Sequence, residues 1–224
     1  MMAQLAYPLS LQRVEIEVSF QPGIPFIAPT YKALEDFFDS PAVSDGPGQL
    51  RHFSLNIEHT HYNEASEFGH FSATGSIRLR NSVFKFLSWH SKLHFLSFDI
   101  IAPYLGPLDG SMLKQIAACL PSIASLNLIV ASWEPNNSAD EIALIDLEHV
   151  IWLCENCPHL EVLTLDFVAN RAITDMRRLR FPSDFPKPKI RKLILKRREY
   201  KWDEQLKSFC LDGRCFPNVI QLTI

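Results

Sequence analysis

One short pattern recurs along the chain: an apolar residue, two variable residues, an apolar residue, one variable residue, an apolar residue. It reads LQRVEI from Leu11, LRHFSL from Leu50, LHFLSF from Leu93, IASLNL from Ile123, LEVLTL from Leu160, IRKLIL from Ile190 and VIQLTI from Val219. All 21 anchors are apolar, although only 47% of the 224 residues are hydrophobic. The alternation in the second half of each unit has the period of a β-strand buried on one side. The starts are 39, 43, 30, 37, 30 and 29 residues apart, irregular intervals within the range of stacked repeats.

What precedes the pattern also recurs. Pro121, Pro158, Pro188 and Pro217 each stand two residues before the first anchor. A proline there ends a preceding helix and sets the chain extended for the strand. Helical signals fill the intervals. Thr30 is placed to cap Tyr31–Phe38, and Asn81 or Ser82 to cap a helix running to Trp89. Asp109 or Ser111 precedes MLKQIAACL, and Ser138 and Glu141 have capping-box spacing before IALIDLEHVIWLC. In that last helix Leu144, Leu147, Ile151 and Cys154 are expected on one face. Further helices are expected over Ala172–Leu179 and from Asp203 to Phe209.

Each unit therefore reads as helix, short connection, strand. Parallel neighbours need a crossover, which the helix supplies. No unit can bury its own apolar face, so the array folds by stacking. The expected fold is an α/β solenoid, a single domain over 1–224 with about seven irregular repeats. Its parallel sheet lines the concave face and its helices the convex face.

The segments CPHLEVLTLDF (157–167), LPSIASLNLIV (120–130) and FPNVIQLTI (216–224) resemble the repeats of F-box/leucine-rich-repeat proteins, whose fungal members have similarly long, irregular units. The resemblance covers roughly residues 5–224. It implies a leucine-rich-repeat horseshoe and a role in recruiting substrates to a ubiquitin ligase. An F-box is an N-terminal segment of helices that binds the ligase adaptor. Here a strand begins by Leu11, which leaves no room for one, so the resemblance carries only the recruitment half. Ligase subunits become expected partners if an F-box lies upstream. Neither end has a clear polar cap, so a chain truncated at both ends is expected.

Between and after the anchors, alternation turns side chains to the concave surface. These are Arg13, Glu15 and Glu17; His52, Ser54 and Asn56; Phe95, Ser97 and Asp99; Ser125, Asn127 and Ile129; Val162, Thr164 and Asp166; Lys192, Ile194 and Lys196; Gln221 and Thr223. The surface starts acidic, is polar in the middle and turns basic near the end. A protein or peptide partner is expected across it, without catalysis.

Charge is unevenly distributed. From Arg171 to Lys201 there are twelve Lys/Arg against Asp175, Asp184 and Glu199, a balance of +9 in a chain of formal net charge -3. Lys187, Lys189, Arg191, Arg197, Arg198 and Lys201 form a basic patch with the neighbouring strand lysines. Tyr200 and Trp202 interleave with it. Clustering of this kind steers oppositely charged partners, so an acidic or phosphorylated peptide, or nucleic acid, is the alternative ligand.

Residues of metal-binding type gather at two places in the sequence. Cys154-x-x-Cys157 with His159, and Cys210 with Cys215, suggest paired zinc ligands. The repeat gives the stronger account, because Cys154 falls on an apolar helix stripe and Cys157 fills the slot that Leu120 and Phe216 fill elsewhere. The segment 58–70 collects His59, His61, His70, Glu58, Glu64 and Glu67 without a recognised spacing, and reads as a polar loop. No metal or cofactor is expected. No G-x-S-x-G, P-loop or G-x-G-x-x-G motif occurs. Long apolar runs and a signal-peptide pattern are absent too, and the odd cysteine count does not suit a secreted disulfide framework. A cytoplasmic or nuclear protein that does not enter a membrane is expected.

Overall fold

The computed structural model describes residues 12–20, 27–40, 50–59, 73–101, 110–131, 147–167, 189–197 and 216–223. The elements are β1 (Arg13–Phe20), α1 (Ile27–Phe38), β2 (His52–His59), α2 (Ala73–Trp89), β3 (Phe95–Ile101), α3 (Gly110–Cys119), β4 (Ser125–Ala131), α4 (Leu147–Asn156), β5 (Val162–Phe167), β6 (Lys192–Arg197) and β7 (Gln221–Thr223). All seven strands lie in one parallel sheet in sequence order.

The anchors of the repeated pattern fall into register without a slip. The middle anchors pair as Val14, Phe53, Leu96, Leu126, Leu163, Leu193 and Leu222, and the last anchors as Ile16, Leu55, Phe98, Leu128, Leu165 and Leu195. From Phe53 to Leu195 these side chains are at most 1% exposed. They meet helical residues in one core, among them Leu34, Phe38, Val83, Phe86, Leu87, Met112, Leu113, Ile116, Val150 and Leu153. Each such side chain withdrawn from water contributes about 1.5–3 kcal/mol. The described helices thus cover one face of the sheet. Each touches the next, α1 with α2, α2 with α3 and α3 with α4. Polar clips join them: Ser82 Oγ donates to Asp39 Oδ2 at 2.9 Å, and Lys114 Nζ lies 5.8 Å from the Trp152 ring centre.

The junction between strands is the same six times over. The carbonyl of Gln12 accepts the N–H groups of Arg51 (2.8 Å) and His52 (3.0 Å). The carbonyls of Arg51, His94, Ala124, Glu161 and Arg191 likewise each accept two consecutive N–H groups from the next unit. A carbonyl oxygen has two lone pairs, so this fork satisfies two donors with one acceptor.

The prolines act differently from the sequence expectation. The Leu120 carbonyl accepts from Ile123 N–H (3.1 Å), Cys157 from Leu160 (3.0 Å) and Phe216 from Val219 (3.2 Å). Pro121, Pro158 and Pro217 are therefore the second residue of a β-turn, where their fixed φ is already correct, rather than the start of an extended lead-in. Pro188 lies outside the described residues. Leu120 and Cys157 also close the preceding helix, by donating to Ile116 and Leu153 at 2.9 Å. His90 takes the same slot in the β3 unit, with Ser91 in place of proline, and is buried at 5% exposure against Phe86.

Two helices start earlier than expected. Thr30 lies inside α1, whose first turn admits Pro29 because the N–H lost there has no intrahelical partner. Asn81 and Ser82 lie in the middle of α2. Ser82 is turned inward to Asp39, which removes the reason to read it as a cap. Among the described side chains of α4, Val150, Leu153 and Cys154 are buried. Leu144, Ser138 and Glu141, and the segments 172–179 and 203–209, lie outside the described residues.

Candidate interaction face

Residues between the anchors occupy the sheet face away from the helices, and register sorts them into three rows. The first runs Arg13, His52, Phe95, Ser125, Val162, Lys192, Gln221. The second runs Glu15, Ser54, Ser97, Asn127, Thr164, Ile194, Thr223. The third runs Glu17, Asn56, Asp99, Ile129 over β1–β4, and Asp166 pairs with Lys196 between β5 and β6. All twenty residues expected on the partner surface have their backbone positions in these rows.

The rows have internal chemistry. Arg13 donates to Glu15 at 2.6 Å, and His52 Nε2 lies 3.1 Å from the same carboxylate oxygen. The hydrogen bond from Arg13 chiefly holds the Glu15 carboxyl below the usual glutamate range, with His52 adding to it. The rings of His52 and Phe95 are parallel and 3.9 Å apart. In the second row Asn127 Nδ2 donates to Ser97 Oγ at 2.7 Å. Ser97 and Thr164 are buried at 7% and 8% exposure.

A fourth row escapes the sequence reading. Gln12, Arg51, His94, Ala124, Glu161, Arg191 and Ile220 stand one residue before each strand, and the carbonyls of the first six are the forked acceptors. All but Ala124 are exposed, Ile220 at 85%. Arg51 reaches sideways, donating to the Lys92 carbonyl at 3.0 Å. The signal was the first of the two variable positions in each unit, which strand alternation does not assign to a face.

With this row included, charge varies along the strands as well as across them. The end where the strands begin carries Arg13, Arg51, Lys92, Lys189, Arg191 and Lys192 against Glu161, while Glu17, Asp99 and Asp166, with Lys196 and Arg197 on β6, stand further along. Within the expected basic patch, Lys189 and Arg191 are exposed before β6 and Arg197 lies in β6. Lys187, Arg198 and Lys201 lie outside the described residues.

The cysteine pair is core. Cys154 is 5% exposed and Cys157 1%. Burial pushes both thiols up, Cys157 to about 11. Cys210, Cys215 and most of the 58–70 segment lie outside the described residues. Among the described residues no three His, Cys, Asp or Glu side chains gather where they could hold a metal ion, and no helix is long and apolar enough to cross a membrane. No family model, curated protein or solved structure matches the chain.

Proposed function

We propose that this chain is a non-enzymatic interaction module of leucine-rich-repeat type, a horseshoe whose open sheet face binds a segment of a protein partner. The observation that carries this reading is the asymmetry of the sheet. One face is walled by helices, while the other presents register-aligned polar side chains that no described element covers. Side chains at fixed strand spacing on a rigid sheet hold a recognition pattern without reorganising on binding, which lowers the entropic cost of association. By resemblance, the biological role is substrate recognition for an F-box-type ubiquitin ligase.

The test is nuclease-treated affinity capture of the tagged chain from its own cells, with mass spectrometry. A reproducible partner is expected, lost when Ser54→Arg or Asn56→Arg puts bulk on the open face and kept when Lys85→Glu changes the helical side. A partner indifferent to both face variants removes this site. Ligase subunits captured only by an upstream-extended chain support the ubiquitin role.

A second reading draws on the exposed Lys189 and Arg191 beside the half-buried Lys192. In it the 171–201 region binds nucleic acid. It requires retention that falls steeply with salt, because counterion release drives such complexes. Absence of binding at low salt ends it.

A further inference from the structure

At the strand-start end of the open face a small side chain stands between larger ones. In the first row the His52 and Phe95 rings stand face to face on β2 and β3, 3.9 Å apart. Rings stacked between neighbouring strands have their planes across the row, so the other face of Phe95 is turned toward β4. There its register partner is Ser125, the smallest side chain of the row, and Val162 follows on β5. Strands lie about 4.8 Å apart, so Phe95 and Val162 are held roughly 9.6 Å apart across Ser125. That spacing takes one planar group at ordinary contact, about 3.5–4.0 Å, on each side. Phe95, Ser125 and Val162 are each partly exposed.

Cations flank this slot. Arg51 and Lys92 are exposed on the β2–β3 side, and exposed Arg191 stands with half-buried Lys192 on the β6 side. Glu161 is the one described carboxylate at the strand starts between them. It interrupts the positive strip, as Glu15 does beside it in the second row, so the strip suits a partner with spaced negative charges better than the continuous charge of nucleic acid. From the β2–β3 cations to the slot is about one and a half strand spacings, roughly 7 Å, and from the slot to β6 about two, roughly 10 Å. An extended peptide covers these in about two and three residues.

Resting on the reading of this face as a protein-binding surface, we propose that its strand-start end takes an acidic, extended segment laid across the strands, with an aromatic side chain over Ser125 against Phe95. The segment carries an acidic residue about two positions to one side of the aromatic and another about three positions to the other. Aromatic anchors in a fitted pocket dominate many interfaces, and the flanking charges set register.

The test is selection of a displayed library of random short peptides on the immobilised full chain. The expected pool shares one aromatic position flanked by Asp or Glu at those spacings. Ser125→Phe, which fills the slot from within, weakens an enriched peptide about tenfold, as does loss of its aromatic residue. Arg191→Glu removes the acidic preference on one side only and keeps the test informative if Ser125→Phe fails to fold by circular dichroism. Lys85→Glu, on the helical side of the sheet, changes nothing. A pool that is basic or lacks the aromatic, or one indifferent to Ser125→Phe and Arg191→Glu, overturns the proposal and leaves the binding-face reading standing. A folded chain that enriches no peptide and captures no protein overturns both. Retention of single-stranded oligonucleotides in preference to every peptide overturns it in favour of the basic-region reading.

Discussion

Gly110 opens α3 against the imidazole of His149 on α4, and a Cβ on Gly110 would overlap that ring. Gly110→Ala is therefore expected to destabilise the fold by about 1–3 kcal/mol, the usual cost of overpacking. Adding His149→Ala should recover most of the loss in urea unfolding. If the double variant is no better than the single one, the glycine is needed for its backbone and the close approach is incidental. In sequence, Asp109-Gly110-Ser111 reads as a turn with a cap. His149 is invisible there because the pairing of one helix with the next is a tertiary choice. His90 is similar: its burial follows from a slot that hydrophobicity fills in the other units, and only the turn geometry reveals that a histidine occupies it. The core role of Cys154 and Cys157, by contrast, is legible, because both fall on apolar positions of the repeat.

Strands were easier to read than helices. A period of two with apolar anchors has one solution when one face is buried, since a slip by one residue would put every anchor in water. Helix starts lack that penalty. Thr30, Asn81 and Ser82 carry the chemistry of caps, but α1 and α2 extend past them. Two expectations about stability follow from position in the sheet. Phe98 is 0% exposed on β3, with strands on both sides, and Phe98→Ala should cost about 3–5 kcal/mol. Leu222 is half-buried on β7, paired on one side only among the described residues, and Leu222→Ala should cost less than about 2 kcal/mol. Denaturant midpoints of the two variants measure the difference. Equal losses would mean that strand position does not grade stability.

Every described strand pairs with its neighbours in sequence, and the described helices touch theirs, so none of the described elements pairs with a distant part of the array. Stability in such an array is a sum of units and junctions, and it is weakest where a unit has one neighbour. Hydrogen exchange should show the slowest amides in β3, β4 and β5 and faster ones in β1 and β7; equal protection in all seven strands would contradict this. The polar rows of the open face were legible in sequence because they alternate with the anchors. The strand-start row and the polarity along the strands were not, since both depend on where strands begin. The forked carbonyl also separates two properties that usually constrain each other. Connections range from short to long, yet all six junctions have the same geometry, so alignment is reset at every strand and carries no memory of the loop before it. Such a chain can gain or lose residues between strands, or a whole unit, without propagating an error. Length is thereby free to vary while the ruler beneath it keeps its marks.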